Sequence, residues 1–152
     1  MKKFLAVLLL CLVVSSSAWA GGIETTTLLD RKSNPDTSIL VGADAEQKAR
    51  YYPDGKMKGN VLAFLVKIKG REILFDAGLP DGHIAAELKK NGLAARDVRT
   101  ILLTHLHRDH YGGLVDADGK AAFPNADVYV SRAERAYWVD EKKDPNVIRA
   151  LE

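Results

Sequence analysis

Thr100-Ile101-Leu102-Leu103-Thr104-His105-Leu106-His107-Arg108-Asp109-His110-Tyr111-Gly112-Gly113 is the stretch from which the rest of the chain is best read. Its apolar start, Ile101 to Leu103, predicts a short strand over Thr100 to Thr104, covered on both sides. Three of the chain's four histidines then fall within six positions. Imidazole and carboxylate are the ligands that a zinc-like ion prefers when no thiolate is at hand. His105 and His107, two apart in an extended segment, project to the same side and can grip one ion. If a helix starts directly after them, Asp109 and His110 project in another direction, toward a second ion. Asp109 then lies in the first helical turn, where the positive end of the dipole favours a carboxylate. Gly112 and Gly113 let the backbone turn tightly beneath the site.

Upstream, Val61 to Ile68 is strongly apolar, Lys69 and Gly70 make a turn, and Arg71 to Phe75 returns, which predicts a β-hairpin. Asp81 is placed to cap a helix with Ile84, Ala85 and Leu88 on one face, stopped by Asn91 and Gly92. Downstream, Val128 to Val130 predicts a further strand. Ser131 with Glu134 makes a capping box for the helix carrying Tyr137 and Trp138. Asp144 and Pro145 start a last helix, with Val147, Ile148 and Leu151 on its apolar face. Thr25 to Leu29 is a strand candidate among loops marked by Asn34-Pro35-Asp36 and Pro53-Asp54-Gly55. Strands and helices alternate, as in a layered α/β domain.

The amino terminus follows a different rule. Lys2 and Lys3 precede the apolar run Phe4 to Val14, then Ser15 to Ser17 and the small-x-small boundary Ala18-Trp19-Ala20, the layout of a cleavable signal peptide. The apolar run falls well short of the roughly 20 residues that span a bilayer. The expected organisation is therefore a signal peptide at 1–20, a lead-in at 21–59 and the motif-bearing domain at 60–152, with a periplasmic or secreted product cleaved after Ala20. Lys2 and Lys3 are two of the 22 basic residues and no acidic residue precedes Ala20, so the exported part carries 20 of each sign. That balance gives no nucleic-acid footprint. Cys11 leaves with the signal, so the exported part has neither disulfide nor thiolate ligand. No G-x-S-x-G elbow or phosphate-binding glycine loop offers competing chemistry.

The run His105-x-His107-x-Asp109-His110 with its two glycines, preceded by Leu102-Leu103-Thr104 and by Leu74-Phe75-Asp76-Ala77-Gly78, resembles the metallo-β-lactamase superfamily. The likeness covers roughly Asn60 to Trp138. It implies an α/β fold, an αββα sandwich of two similar halves with metals between them at one sheet edge. It also implies that His105 and His107 belong to a first metal and Asp109 and His110 to a second. The complete enzyme would hold two Zn2+, other divalent ions or iron being alternatives. By the same resemblance Asp109 is the catalytic residue that orients the nucleophile and helps move its proton. Asp76 supports the metal loop without ligating. His83 matches no family ligand and is expected at the surface or the substrate rim.

A complete site of this family takes about five histidines and two aspartates, by resemblance, and no histidine follows His110. The chain is therefore expected to hold the first half of such a domain, inactive by itself and able to associate through its uncovered face. Within the family, His110 beside Asp109 argues against β-lactamases that use a cysteine ligand. Export argues against glyoxalase II and tRNA-processing nucleases. The segments Asn60 to Val66 and Phe123 to Ala126, ahead of Ser131 to Glu134, resemble the lactonase and organophosphate-hydrolase branch. The expected partner is a small-molecule lactone, ester or phosphotriester, with no nucleic acid and no membrane after cleavage. The alternatives are a histidine-only β-lactamase, a mononuclear iron sulfur dioxygenase and a non-catalytic truncated product.

Overall fold

The computed structural model describes residues 22–152, so the predicted signal peptide lies outside the described residues. Five strands form one mixed sheet in sequence order: β1 (Glu24–Ser33), β2 (Gly59–Ile68), β3 (Arg71–Phe75), β4 (Thr100–Leu102) and β5 (Asp127–Tyr129). The first three run antiparallel, and β3, β4 and β5 are mutually parallel. The predicted hairpin is β2–β3. Lys69 (φ 48°) and Gly70 (φ 74°) form its turn, and positive φ at both central residues matches the right-handed twist of the strands it joins.

The return from β3 to β4 is made by α2 (Ile84–Lys90), and that from β4 to β5 passes through α3 (Arg108–Tyr111). The remaining helices are α1 (Ala45–Tyr51), α4 (Arg132–Arg135), continued by a π-helical turn over Ala136–Glu141, and α5 (Pro145–Leu151). Helix α1 falls in the lead-in. Its signal was Asp44 and Gln47, which form a complete capping box.

Strand alternation sends Leu28, Ala63, Leu65, Leu74 and Ile101 into a single core with Ile84 and Leu88 of α2 and Val147 of α5. The opposite face carries Leu29, Phe64 and Tyr129, which are 36%, 37% and 53% exposed, so helices cover one face only. This changes the reading of β4: Ile101 and Leu103 are buried, whereas Leu102, pointing the other way, is half-buried. Among the described residues no helix is long and apolar enough to cross a membrane.

The start of α2 departs from expectation. Asp81 does not cap it but pairs with Arg31 (3.1 Å), and Ala85 is exposed. The cap comes from Asp30, more than 50 residues away in sequence. The β1–β2 register shifts between Leu29 and Arg31, so Asp30 is the extra residue of a β-bulge and turns inward, 2% exposed. Its carboxylate accepts from the amides of Leu79 (3.1 Å), His83 (2.6 Å) and Ile84 (3.2 Å). Gly82 is required there, because a Cβ would overlap that carboxylate.

Candidate metal centre

The histidine cluster sits where β4 ends and α3 begins. His107 is the N-cap residue of α3, so its backbone is extended (φ −82°, ψ 153°) and the helix starts directly after it. His105 and His107 do converge: Nε2 of His105 lies 3.0 Å from Nδ1 of His107. The His110 ring stacks tilted on His105 with centroids 3.9 Å apart, and its Nε2 is 3.6 Å from Oδ2 of Asp109. The four side chains are thus linked in a chain at the end of β4, His107 to His105, His105 to His110 and His110 to Asp109. His83 stands apart at the start of α2, exposed, its Nδ1 2.8 Å from the Asp30 carbonyl oxygen.

Beneath the cluster lies Asp76, the residue after β3. It is 4% exposed and adopts φ 63°, a left-handed backbone that Asp tolerates better than most residues. Its Oδ1 accepts from the Thr104 amide (2.8 Å), and its Oδ2 lies 2.9 Å from the Thr104 hydroxyl and 2.8 Å from Nδ1 of His110. The protons can be assigned from this network. An ionised carboxylate only accepts, so the Thr104 hydroxyl and His110 Nδ1–H both donate to Asp76. With its proton committed, the Thr104 oxygen accepts from Nδ1–H of His105, 3.0 Å away. In their neutral forms His105 and His110 then carry the proton on Nδ1 and leave Nε2 with the lone pair a metal needs. Burial, with the His110 and His107 rings alongside, holds His105 below the ordinary imidazole range, which favours the same neutral form.

The glycines after the cluster serve a purpose other than turning. Gly112 has φ −59°, open to any residue. What matters is proximity: a Cβ on Gly112 would overlap Pro80, and one on Gly113 would overlap the Ala77 carbonyl oxygen. That closeness lets two backbone bonds stitch the loop after β3 to the metal segment, Ala77 N–H to His110 O (2.7 Å) and Gly113 N–H to Gly78 O (3.0 Å).

This arrangement of a paired His-x-His, an adjoining Asp-His and a buried supporting aspartate coincides with a family match: the metallo-beta-lactamase superfamily domain (Lactamase_B) matches residues 57–150. The chain belongs to that superfamily. Among solved members, the hydrolase AbOPH of the beta lactamase superfamily shares 33% identity at a TM-score of 0.70, over 87% of this chain and 52% of its own. AidC, a dizinc quorum-quenching lactonase, shares the fold at 24% identity and a TM-score of 0.74, over 86% of this chain and 54% of its own. Ribonuclease Z of Pyrococcus abyssi is 40% identical over 55 residues, which is 36% of this chain and 17% of that protein. The chain spans about half the length of these solved metallo-beta-lactamase structures.

The donors fit part of a metal site. Among the described residues no three His, Cys, Asp or Glu side chains are grouped so as to hold one ion. His105 lies against both His107 and His110, with ring centroids 4.6 and 3.9 Å away, and Asp109 adjoins only the His110 ring.

Proposed function

We propose that this chain is the metal-binding half of an exported, metal-dependent hydrolase acting on lactones, related esters or phosphotriesters. The observation that carries the reading is the proton accounting at Asp76. One buried carboxylate accepts hydrogen bonds from His110 Nδ1–H and the Thr104 hydroxyl, and Thr104 in turn orders His105, so the neutral rings keep their Nε2 lone pairs beside His107 and Asp109. In this reading His105 and His107 hold a first ion, and Asp109 and His110 a second. Bound there, Zn2+ or another divalent ion supplies Lewis acidity that lowers the pKa of water and polarises a carbonyl or phosphoryl oxygen. Asp109, whose side chain is 46% exposed, is free to orient the attacking water and accept its proton. Asp76 holds the segment in place without ligating. The 33% identical AbOPH hydrolase supports a hydrolase, and the balanced charge of residues 21–152 favours a small substrate over RNA.

Two donors per ion leave each ion under-coordinated, well short of the four-ligand sites whose binding is worth roughly 10 to 16 kcal/mol. The full chain, dialysed after loading with Zn2+ or Co2+, is expected to retain at most one weakly held ion and to hydrolyse lactones and phosphotriesters at background rates. Co2+ should still give a histidine-dependent spectrum that His105→Ala abolishes. Two tightly retained ions with turnover would falsify the half-site assignment, and no Co2+ spectrum at all overturns the metal reading. The apolar sheet face bearing Phe64 and Tyr129 is the surface through which such a half would associate.

Export follows from the basic start, short apolar run and Ala18-Trp19-Ala20 boundary. N-terminal sequencing of periplasmic material is expected to begin at Gly21. A product retaining Met1 in the inner membrane contradicts it.

A further inference from the structure

The capping box predicted at Ser131 and Glu134 forms only halfway. The Ser131 hydroxyl accepts from the Glu134 amide (3.2 Å), but the Glu134 side chain does not return to Ser131. Instead its Oε2 accepts from the Leu106 amide (2.8 Å) and from the indole Nε1–H of Trp138 (3.1 Å). Leu106 is the residue between the two converging histidines. Its side chain is 1% exposed in the core, while its amide points out toward α4. The orientation of that one peptide sets where His105 and His107 emerge. Trp138, held by the same oxygen, stands edge-on to the His107 ring with centroids 5.8 Å apart.

We propose that Glu134 is a positioning residue for the His105–His107 pair, acting through the Leu106 amide and the Trp138 indole. Three observations converge on it. The amide it accepts belongs to the residue separating the two rings. The indole it fixes lies against one of them. The π-helical turn over Ala136–Glu141 begins within the same turn, and such insertions recur at functional sites. Without the carboxylate, the Leu106 amide loses its partner and Trp138 loses its anchor. The His-x-His segment is then held on this side by Leu106 packing alone. Both bonds go to a single oxygen, so an uncharged amide oxygen in the same place can accept both. Acceptor geometry, not charge, is the property required.

The inference rests on the metal reading proposed above, and two measurements on the full chain separate the two. The first needs no metal: amide exchange at Leu106 is expected to be slow in the parent, fast in Glu134→Ala and slow again in Glu134→Gln, with the core amides of β2 and β3 protected in all three. The second is Co2+ titration, read by the cobalt absorption spectrum and by quenching of Trp138 emission in a Trp19→Phe background. Half-saturation is expected to rise roughly tenfold or more in Glu134→Ala, the range for lost support of a metal ligand, and to stay within about threefold in Glu134→Gln. A Leu106 amide that stays protected in Glu134→Ala overturns the inference, whatever the metal does. So does a Glu134→Gln chain as weak as Glu134→Ala, since charge would then be the operative property. A parent chain that binds no Co2+ while Leu106 exchange follows the expected order overturns the metal reading and supports the positioning role.

Discussion

Replacing Asp30 by alanine is expected to cost about 3–5 kcal/mol of folding stability, the sum of three amide donors stranded at a buried site, each worth roughly 1–3 kcal/mol with some relief from entering water. The donors are the Leu79, His83 and Ile84 amides, and the carboxylate that serves them is 2% exposed. A domain of this size has about 5–15 kcal/mol in total, so the variant should sit near its folding threshold. Asp30→Asn separates the contributions. His83 and Ile84 both donate to Oδ1, which the amide oxygen can replace, whereas the Leu79 amide would face an NH2 group. The asparagine variant is therefore expected to lose about half as much as alanine. Urea denaturation of the full chain measures both. An alanine variant within about 1 kcal/mol of the parent rules out this role, since surface substitutions typically cost less than that.

The consequence of Asp30 extends beyond α2. The loop it organises, residues 76–84, is bonded through Ala77 and Gly78 to His110 and Gly113 of the metal segment. A bulge in the edge strand thus supports the histidine cluster from the far side of the core. Arg31, the next residue along, reinforces the connection through Asp81, bonding its carboxylate at 3.1 Å and its carbonyl oxygen at 2.8 Å.

These long-range contacts mark the boundary of what the sequence could convey. The β2–β3 hairpin and the strand before the histidines were legible because each rests on neighbours within a few positions: a Lys-Gly turn for one, the apolar run Ile101 to Leu103 for the other. The candidate ligands were nameable for the same reason, since His105, His107, Asp109 and His110 fall within six consecutive positions. Asp30 was not, since nothing in Leu28-Leu29-Asp30-Arg31 announces a bulge whose donors lie 49 to 54 residues on. Asp81 and Glu134 show the reverse error. Each has the right local spacing for a cap, but a stronger partner elsewhere, Arg31 for one and the Leu106 amide for the other, claims the side chain. Gly112 and Gly113 were recognised as necessary for the wrong reason, because sequence reveals a missing Cβ but not the Ala77 carbonyl and Pro80 ring that exclude one.

Asp76 carries the last expected result, and it separates a structural loss from a chemical one. Asp76→Ala strands the Thr104 amide and places a Cβ-bearing residue with no polar side chain at φ 63°, costs of roughly 1–3 and 1–2 kcal/mol. Asp76→Asn avoids most of that. Asparagine accepts the left-handed backbone, and its oxygen can still take the Thr104 amide. Its NH2 group, however, then faces His110 Nδ1, which the carboxylate held at 2.8 Å as a donor. The ring is driven to the opposite tautomer, with the proton on Nε2 and no lone pair toward Asp109 and a metal. Stability of Asp76→Asn is expected within about 1 kcal/mol of the parent, as for a substitution that keeps its backbone and one acceptor. Co2+ affinity is expected to fall 10- to 100-fold, the usual cost of losing the group that orients a ligating histidine. Nitrogen-15 shifts of the His110 ring give an independent check, because they report which nitrogen carries the proton in the metal-free chain. Should His110 keep Nε2 unprotonated in Asp76→Asn and Co2+ bind as in the parent, Asp76 serves the backbone alone and the proton accounting that supports the proposed function is wrong.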